Sequence, residues 1–391
     1  MKDKDKEAAD HLINILQQIY TIIIDWSGAK YIGFTIQFNR SLKTVTLSMP
    51  SYFAKVLERF APLLQHGAQS PSIYTPPSYG ARTQAPNEDM SEALTPAETK
   101  RIQEIVGSLL FYGRGVDPTI LPTVNLLASL QSLPTRHVTD IADRLLRYCA
   151  RYPNNELVYH ACDVTLFIQA NASYLSRPKA RSVAGGICYI GNKDPPNHIN
   201  GAINAVNSVV PSVVASAAEA EYAALFILGQ EGEYLRQVIA NMGYQQAPTL
   251  ILCDNQCAVG MATDTVKAKR TKLIDMRYHW IRDRVHQGHF RVQWRRDENN
   301  LADFFTKALP TKTHQALMPL LVHTPKATTT EFQTSHAQRA AAWSHNMTTK
   351  AQLRGCVDTI ETRTNRRSAE LQNTPNKMNL TLAQPHCKHS R

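Results

Sequence analysis

Apolar residues near the start of the chain recur at helical spacing and then alternate, which predicts a helix, a hairpin and a second helix. The first helix covers the apolar positions in 12–20. Strands are predicted at 31–38 and 45–49, because apolar and polar residues alternate along the second of them. Pro50 suits the first turn of the next helix, whose apolar stripe ends at Phe60.

Pro, Ser, Gly and Gln accumulate over residues 66–90, which indicates a linker or a long surface crossing. Thr95 and Glu98 then form a capping box with a proline between them, and this combination predicts the start of a helix. Two further helices are predicted before the turn at 152–155.

The next part of the chain predicts a mixed α/β layout in the order β-β-β-α-β-α-β-α. Strands are predicted at 164–169, at 187–190, within 202–214, at 249–253 and at 290–295. Helices are predicted from a second capping box at Ser216 to about 242, at 275–287, and after a cap at Asn299 or Asn300. Beyond 322 the apolar periodicity fades, and a disordered tail is expected.

Composition and charge favour a nucleic-acid partner. The 391 residues include 43 Lys and Arg against 32 Asp and Glu, a formal charge of +11. Seven cysteines without regular spacing predict a reducing, intracellular compartment, and no apolar run is long enough for a membrane span. Cys253 and Cys257 are expected to be packing residues, since no second cysteine pair completes a zinc site.

Three acidic residues lie at the ends of predicted elements. Glu221 is in the first turns of a helix, Asp254 directly follows the strand 249–253, and Asp303 is near the start of the last helix. Carboxylates are the ligands that Mg²⁺ prefers, and two-metal hydrolysis of a phosphodiester requires several of them. Helix caps and solvated charges would produce the same pattern, so the residue types alone leave both interpretations open.

Four runs resemble, in order and spacing, the ribonuclease H region of copia-type retrotransposon polyproteins. They are SAAEAEY at 216–222, CDNQC at 253–257, KLIDMRYH at 272–279 and NLADFFTK at 300–307. Residues 25–50 and 105–110 resemble the reverse transcriptase of the same polyproteins, downstream of its catalytic palm.

The resemblance implies an α/β fold with a ribonuclease H-like mixed sheet flanked by helices. It also implies Mg²⁺-dependent or Mn²⁺-dependent endonucleolytic cleavage of RNA in RNA–DNA hybrids. Glu221, Asp254 and Asp303 would be the second, third and fourth metal-binding carboxylates. Glu221 is preferred to Glu219 because it precedes the family's aromatic-x-Ala step.

Composition and the resemblance together divide the chain into five segments. They are a reverse transcriptase palm edge or thumb remnant (1–66), a linker (67–94), a helical thumb or connection segment (95–155), a ribonuclease H-like domain (156–322) and a disordered tail (323–391). The chain contains no adjacent Asp-Asp pair, which a polymerase palm carries, so polymerase activity is not expected from this chain alone.

Asn171 stands where the family carries its first catalytic aspartate. An amide keeps a neutral oxygen acceptor but loses the negative charge, so metal affinity and cleavage are expected to fall. Asp163 is not expected to replace it, because it lies eight residues earlier, about 26 Å along an extended strand.

A basic cluster follows the second carboxylate: Lys267, Lys269, Arg270, Lys272 and Arg277. It could bind the phosphates of an RNA–DNA hybrid, or it could be a solvated basic helix face. Three functions therefore stay open: an impaired hybrid endonuclease, a module that binds nucleic acid without cutting it, and a relic without a selected activity. Other products of the same polyprotein are further partners that the resemblance implies.

Overall fold

The computed structural model describes residues 6–22, 24–61, 67–76, 89–193, 199–265, 276–296 and 300–325. The α-helices are Lys6–Gln17 (α1), Pro50–Phe60 (α2), Pro96–Gly115 (α3), Leu121–Leu130 (α4), Arg136–Arg151 (α5), Ala217–Asn241 (α6), Gln256–Ala262 (α7), Trp280–His286 (α8) and Thr311–Leu317 (α9). The strands are Lys30–Tyr31 (β1), Phe34–Asn39 (β2), Thr44–Ser48 (β3), Leu157–His160 (β4), Thr165–Arg177 (β5), Arg181–Gly191 (β6), Ala202–Val209 (β7), Thr249–Cys253 (β8) and Phe290–Trp294 (β9). Short 3₁₀-helices are Pro118–Ile120, Met276–His279, Leu301–Phe305 and Met318–Leu320.

The first sheet is antiparallel, with the strand order β1-β2-β3-β4. The prediction of one strand at 31–38 was wrong, because the chain reverses at Ile32 and Gly33. Both residues have a positive φ, 46° and 84°, and this tight turn pairs Tyr31 with Phe34. Tyr31, Ile32 and Phe34 continue the apolar run through the turn and therefore hide it.

Helices α3, α4 and α5 form a helical block, which packs with α2 around one apolar core. The predicted capping box is present at the start of α3: Glu98 N–H donates to the Thr95 hydroxyl at 3.3 Å, and Thr95 N–H donates to the Glu98 carboxylate at 2.9 Å. Phe53 of α2 stacks on Tyr112 of α3 with ring centroids 3.7 Å apart.

Strand β4 pairs with β3, so residues 157–160 complete the first sheet. Leu157, Met318 and Val322 are buried in the same core as the helical block. The predicted division at 155/156 remains a prediction, but apolar contacts cross it at both ends of the segment 156–322.

The second sheet has the strand order β7-β6-β5-β8-β9, in which β5, β6 and β7 are antiparallel and β5, β8 and β9 are parallel. Helix α6 packs on one face, and Phe305 packs with the opposite face. The predicted mixed sheet flanked by helices is confirmed.

Two strands and one helix in this region differ from the predictions. Strand β6 begins at Arg181 instead of Ile187. Strand β5 continues to Arg177 instead of ending near Gln169, because it pairs with β6 along this length. Helix α7 was not predicted, since its few residues carry no helical repeat; Asn255 begins it by accepting from Ala258 N–H at 3.0 Å.

Most of the predicted tail, from 326 onwards, lies outside the described residues, as do 77–88 of the predicted linker. Within the described ranges, no helix is long and apolar enough to cross a membrane.

Candidate active site

Asn171 lies in the interior of β5, and the residue is only 2% exposed. Its amide nitrogen donates to the carboxylate of Asp303 and, at 3.2 Å, to the hydroxyl of Thr306. Its amide oxygen accepts from Ala172 N–H at 2.8 Å. The side chain therefore holds the chain around Asp303 against the middle of the sheet.

Glu221 is brought to the same place by α6, which packs across β5. Its carboxylate accepts from Ala172 N–H at 2.9 Å, and its side chain is 6% exposed. Burial, together with the negative charges of Asp254 and Asp303, raises the pKa of Glu221 to about 9. Glu219 lies away from this cluster, at the start of the helix, where its carboxylate accepts from Ala215 N–H at 2.7 Å.

Asp254 directly follows β8, the parallel neighbour of β5. The indole N–H of Trp294 donates to the Asp254 carbonyl at 2.9 Å and so links the ends of β8 and β9. The preceding residue, Cys253, is fully buried, and its sulfur lies 3.8 Å from a carboxylate oxygen of Glu221.

Asp303 lies on the 3₁₀-helix Leu301–Phe305, which we call the Asp303 turn. Asn300 begins this turn by accepting from Ala302 N–H at 3.1 Å, and its amide nitrogen donates to the Ala170 carbonyl at 3.0 Å. The second Asp303 carboxylate oxygen is 2.6 Å from the ammonium of Lys307. The predicted final helix is therefore a 3₁₀-helix capped by Asn300, followed by the separate helix α9.

The four predicted positions thus meet at one place, although they come from β5, α6, the end of β8 and the Asp303 turn. Ligand atoms of Glu221, Cys253 and Asp254 lie within 4.8 Å of one another. Asp303 is linked to Glu221 through Asn171, because Asn171 donates to Asp303 and both Asn171 and Glu221 accept from Ala172 N–H. Closely spaced carboxylates, one of them buried with a raised pKa, suit a divalent cation, because the cation compensates charges that burial disfavours.

Two contributors to this site were missed in the sequence. Cys253 was expected only to pack, and its burial agrees with that expectation, but its sulfur also lies at the carboxylate cluster. Lys307 was part of the resembling run 300–307, and its spacing of four from Asp303 was the available signal.

Most of the predicted basic cluster lies outside the described residues. Lys267, Lys269, Arg270 and Lys272 lie outside the described residues, and only the backbone of Arg277 is described, at the start of the Met276–His279 helix. Asp163 accepts from Lys193 N–H at 3.0 Å, just ahead of β5.

Comparison with known proteins found relatives among retrotransposon polyproteins. The chain is 25% identical over 287 residues to "Retrovirus-related Pol polyprotein from transposon TNT 1-94" of Nicotiana tabacum, which covers 71% of this chain and 20% of that protein. It is 29% identical over 208 residues to the corresponding polyprotein from transposon RE1 of Arabidopsis thaliana, with 52% of this chain and 14% of that protein covered. The chain therefore spans about a fifth or less of the length of these relatives.

Among solved structures, the ribonuclease H1 of Halobacterium salinarum NRC-1 matches with a TM-score of 0.25 and 15% identity, over 36% of this chain and 94% of that one. No family model matches the chain.

Proposed function

Since this chain is a relative of the Pol polyproteins of copia-type retrotransposons, we propose that its carboxylate cluster is a ribonuclease H site. The proposed reaction is hydrolysis of the RNA strand of an RNA–DNA hybrid, dependent on Mg²⁺ or Mn²⁺ and reduced in this chain by Asn171. The observation that carries the proposal is the meeting of Asn171, Glu221, Asp254 and Asp303 at one place.

Glu221, Asp254 and Asp303 would hold the cation, since each offers carboxylate oxygens at this place. When bound, a divalent cation supplies positive charge that activates water and stabilises the leaving oxygen of a phosphodiester. The protein contributes a rigid arrangement of these groups: the sheet fixes position 171, and α6 and the Asp303 turn hold their carboxylates against it.

Asn171 weakens the site in two ways. It adds no negative charge. Its amide nitrogen donates to Asp303, whereas an aspartate at position 171 would have a carboxylate oxygen in place of that nitrogen. Asp303 is therefore satisfied by an amide and by the Lys307 ammonium, which compete with a cation for its oxygens.

The test is cleavage of a labelled RNA–DNA hybrid by the full chain and by its Asn171→Asp variant, in Mg²⁺ and in Mn²⁺. We expect the variant to cleave at least about tenfold faster, because a carboxylate replaces an amide beside the other three ligands. Asn171→Asp combined with Asp254→Asn is the control for a contaminating nuclease and is expected to be inactive. Absence of cleavage by the Asn171→Asp variant would contradict the proposed activity.

A second candidate function is binding of nucleic acid without cleavage. The neutral residue at position 171 and the formal charge of +11 favour it. It predicts that the unaltered chain binds a fluorescent RNA–DNA hybrid in EDTA, with an affinity that falls steeply with salt. Binding that is absent at low salt would exclude this candidate.

A further inference from the structure

The Asp303 turn rests on a row of three residues that lie side by side on β5, β6 and β7. Asn171 pairs with Gly185, and Gly185 pairs with Asn207. Directly paired residues of antiparallel strands point to the same face of a sheet. The row therefore presents an amide, an open position and a second amide to the turn.

The carbonyl of Phe305 occupies the open position. A Cβ added to Gly185 would lie 2.7 Å from this carbonyl oxygen, so the turn contacts the sheet here as closely as a glycine allows. Asn171 donates to Asp303 and Thr306 on one side of the turn. Asn207 donates from the other side to the Phe305 carbonyl.

The helical block holds Asn207 in place. The amide nitrogen of Asn125, on α4, donates to the Asn207 side-chain oxygen at 2.9 Å and also to the Asn207 backbone carbonyl. Asn125 and Asn207 are 82 positions apart in the sequence. The bond to Asn125 occupies the oxygen of the Asn207 amide and leaves its nitrogen directed at Phe305.

A second contact joins the helical block to the same turn. The phenol of Tyr148, on α5, lies 3.1 Å from the ring nitrogen Nε2 of His314, on α9. The His314 ring packs on Phe304 with centroids 4.9 Å apart. Phe304 directly follows Asp303, so the helical block is linked to the turn twice: through Asn207 to the Phe305 carbonyl and through His314 to the Phe304 ring.

We propose that the helical block positions Asp303 for cation binding, with Asn207 and Asn125 as positioning residues that act through the Phe305 carbonyl. This inference rests on the proposed function and deepens it: the cation site is completed by the segment 96–151 and not by the second sheet alone. Neither asparagine is placed to touch a cation.

The experiment measures Mn²⁺ affinity by isothermal titration calorimetry on the full chain carrying Asn171→Asp. In this chain Asn207→Ala is expected to weaken Mn²⁺ binding about tenfold, the usual effect of losing a group that orients a metal ligand. Asn204→Ala is the matched control. Asn204 lies on the same strand, but its amide donates to Glu231 at 2.9 Å, and its loss is expected to leave the affinity within about twofold.

The same substitutions in an Asp303→Asn background separate positioning from general destabilisation. If Asn207 acts through Asp303, Asn207→Ala causes no further loss of Mn²⁺ affinity there. A loss of the same size in both backgrounds, or equal effects of Asn207→Ala and Asn204→Ala, would overturn the inference.

Asn125→Ala is the second variant. It tests the inference even if Asn207→Ala fails to fold, because Asn125 lies on α4 and its substitution leaves the strands unchanged. We expect it to weaken Mn²⁺ binding less than Asn207→Ala does, and an unchanged affinity would contradict the role of the helical block. If the Asn171→Asp parent itself binds no Mn²⁺, the proposed function fails and the inference fails with it. If the Asn171→Asp parent binds Mn²⁺ and neither Asn207→Ala nor Asn125→Ala changes its affinity, the inference fails while the proposed function stands.

Discussion

Individual side chains at the carboxylate cluster show how one amide changes the balance of charge. Asn171 and Lys307 both contact Asp303, one through a neutral donor and one through a cation. Glu221 remains buried with its pKa raised to about 9, first by burial and then by the charge of Asp254. At this scale, cation affinity depends on which positive or donor groups already satisfy the carboxylates.

Lys307→Ala is expected to increase Mn²⁺ affinity in the Asn171→Asp chain. The ammonium lies 2.6 Å from Asp303, so it competes with a cation for that carboxylate. Because the ammonium is about half exposed, the gain is expected to be about threefold. Lys312→Ala, which removes an exposed lysine of α9, is the control and should leave the affinity unchanged. Weaker binding after Lys307→Ala would show that the lysine supports Asp303 instead.

His314 makes the stability of the chain depend on pH. Burial lowers the pKa of His314 to about 4, whereas an unfolded histidine titrates near 6.5. The unfolded chain therefore binds a proton in this window that the folded chain does not, and the free energy of unfolding falls as pH drops from about 6.5 to 4. The loss is at most about 3 kcal/mol.

The His314→Gln variant isolates this contribution. Glutamine can still contact the Tyr148 phenol, the polar group that faces His314 at 3.1 Å, but it does not titrate. Urea unfolding of both chains between pH 7.5 and pH 4 should show a smaller decrease for the variant. Acidic groups that titrate in both chains, including the buried Asp117 with its raised pKa, cancel in the difference. Parallel curves would contradict the prediction.

At the scale of elements, glycines at two positions let the elements of the site pack closely. Gly185 on β6 lies below the Asp303 turn, and Gly232 on α6 lies where an added Cβ would be 2.3 Å from Ile168 on β5. The first glycine lets the turn reach the sheet, and the second lets the Glu221 helix do so. Close packing of these elements sets the distance between Asp303 and Glu221.

Gly185→Ala is expected to move the Asp303 turn, since the added Cβ would lie 2.7 Å from the Phe305 carbonyl oxygen and 2.9 Å from the Phe305 Cβ. Mn²⁺ affinity of the Asn171→Asp chain should fall about tenfold or more. Gly107→Ala is the control, because an added Cβ there meets no atom within 4 Å on the surface of α3. It should leave Mn²⁺ binding unchanged and raise stability by up to about 1 kcal/mol. Unchanged binding by Gly185→Ala would show that the turn accommodates the methyl group.

At the scale of the whole molecule, the described residues on the two sides of the predicted boundary at 155/156 pack together. Strand β4 lies after this boundary and completes the first sheet. Leu157, Met318 and Val322 also lie after it and are buried in the core of the helical block. Hydrogen bonds from α4 and α5 reach the second sheet and α9. Stability and cation binding are therefore expected to depend on both segments.

Separating the two segments is expected to destabilise each of them. A fragment of 156–325 would expose Leu157, Met318 and Val322, which are now at most 4% exposed and stabilise the fold by about 1.5–3 kcal/mol each. We expect it to melt at a lower temperature than the full chain and to bind a hydrophobic dye. The fragment 1–155 is expected to be poorly soluble, since side chains such as Ile19 and Tyr20 are already exposed. Cooperative unfolding of both fragments at the temperature of the full chain would contradict this prediction.

The sequence by itself determined the helices α2, α3, α5 and α6, the existence and order of the strands of the second sheet although not all their ends, and the identities of the acidic residues. These features depend on periodicity, capping boxes and short runs, so neighbouring residues carry the information. Periodicity failed where a turn continued the apolar pattern, at Ile32 and Gly33, and where a helix was too short to repeat, in α7.

Only the tertiary structure decided how these pieces form a site. The bond from Asn171 to Asp303 joins residues 132 positions apart, and the link from Asn125 to Asn207 spans 82. Such contacts depend on strand register and on the packing of elements that are distant in the chain, for which a single sequence contains no local signal. The position of Cys253 at the cluster and the dependence of the Asp303 turn on the helical block follow from the same packing.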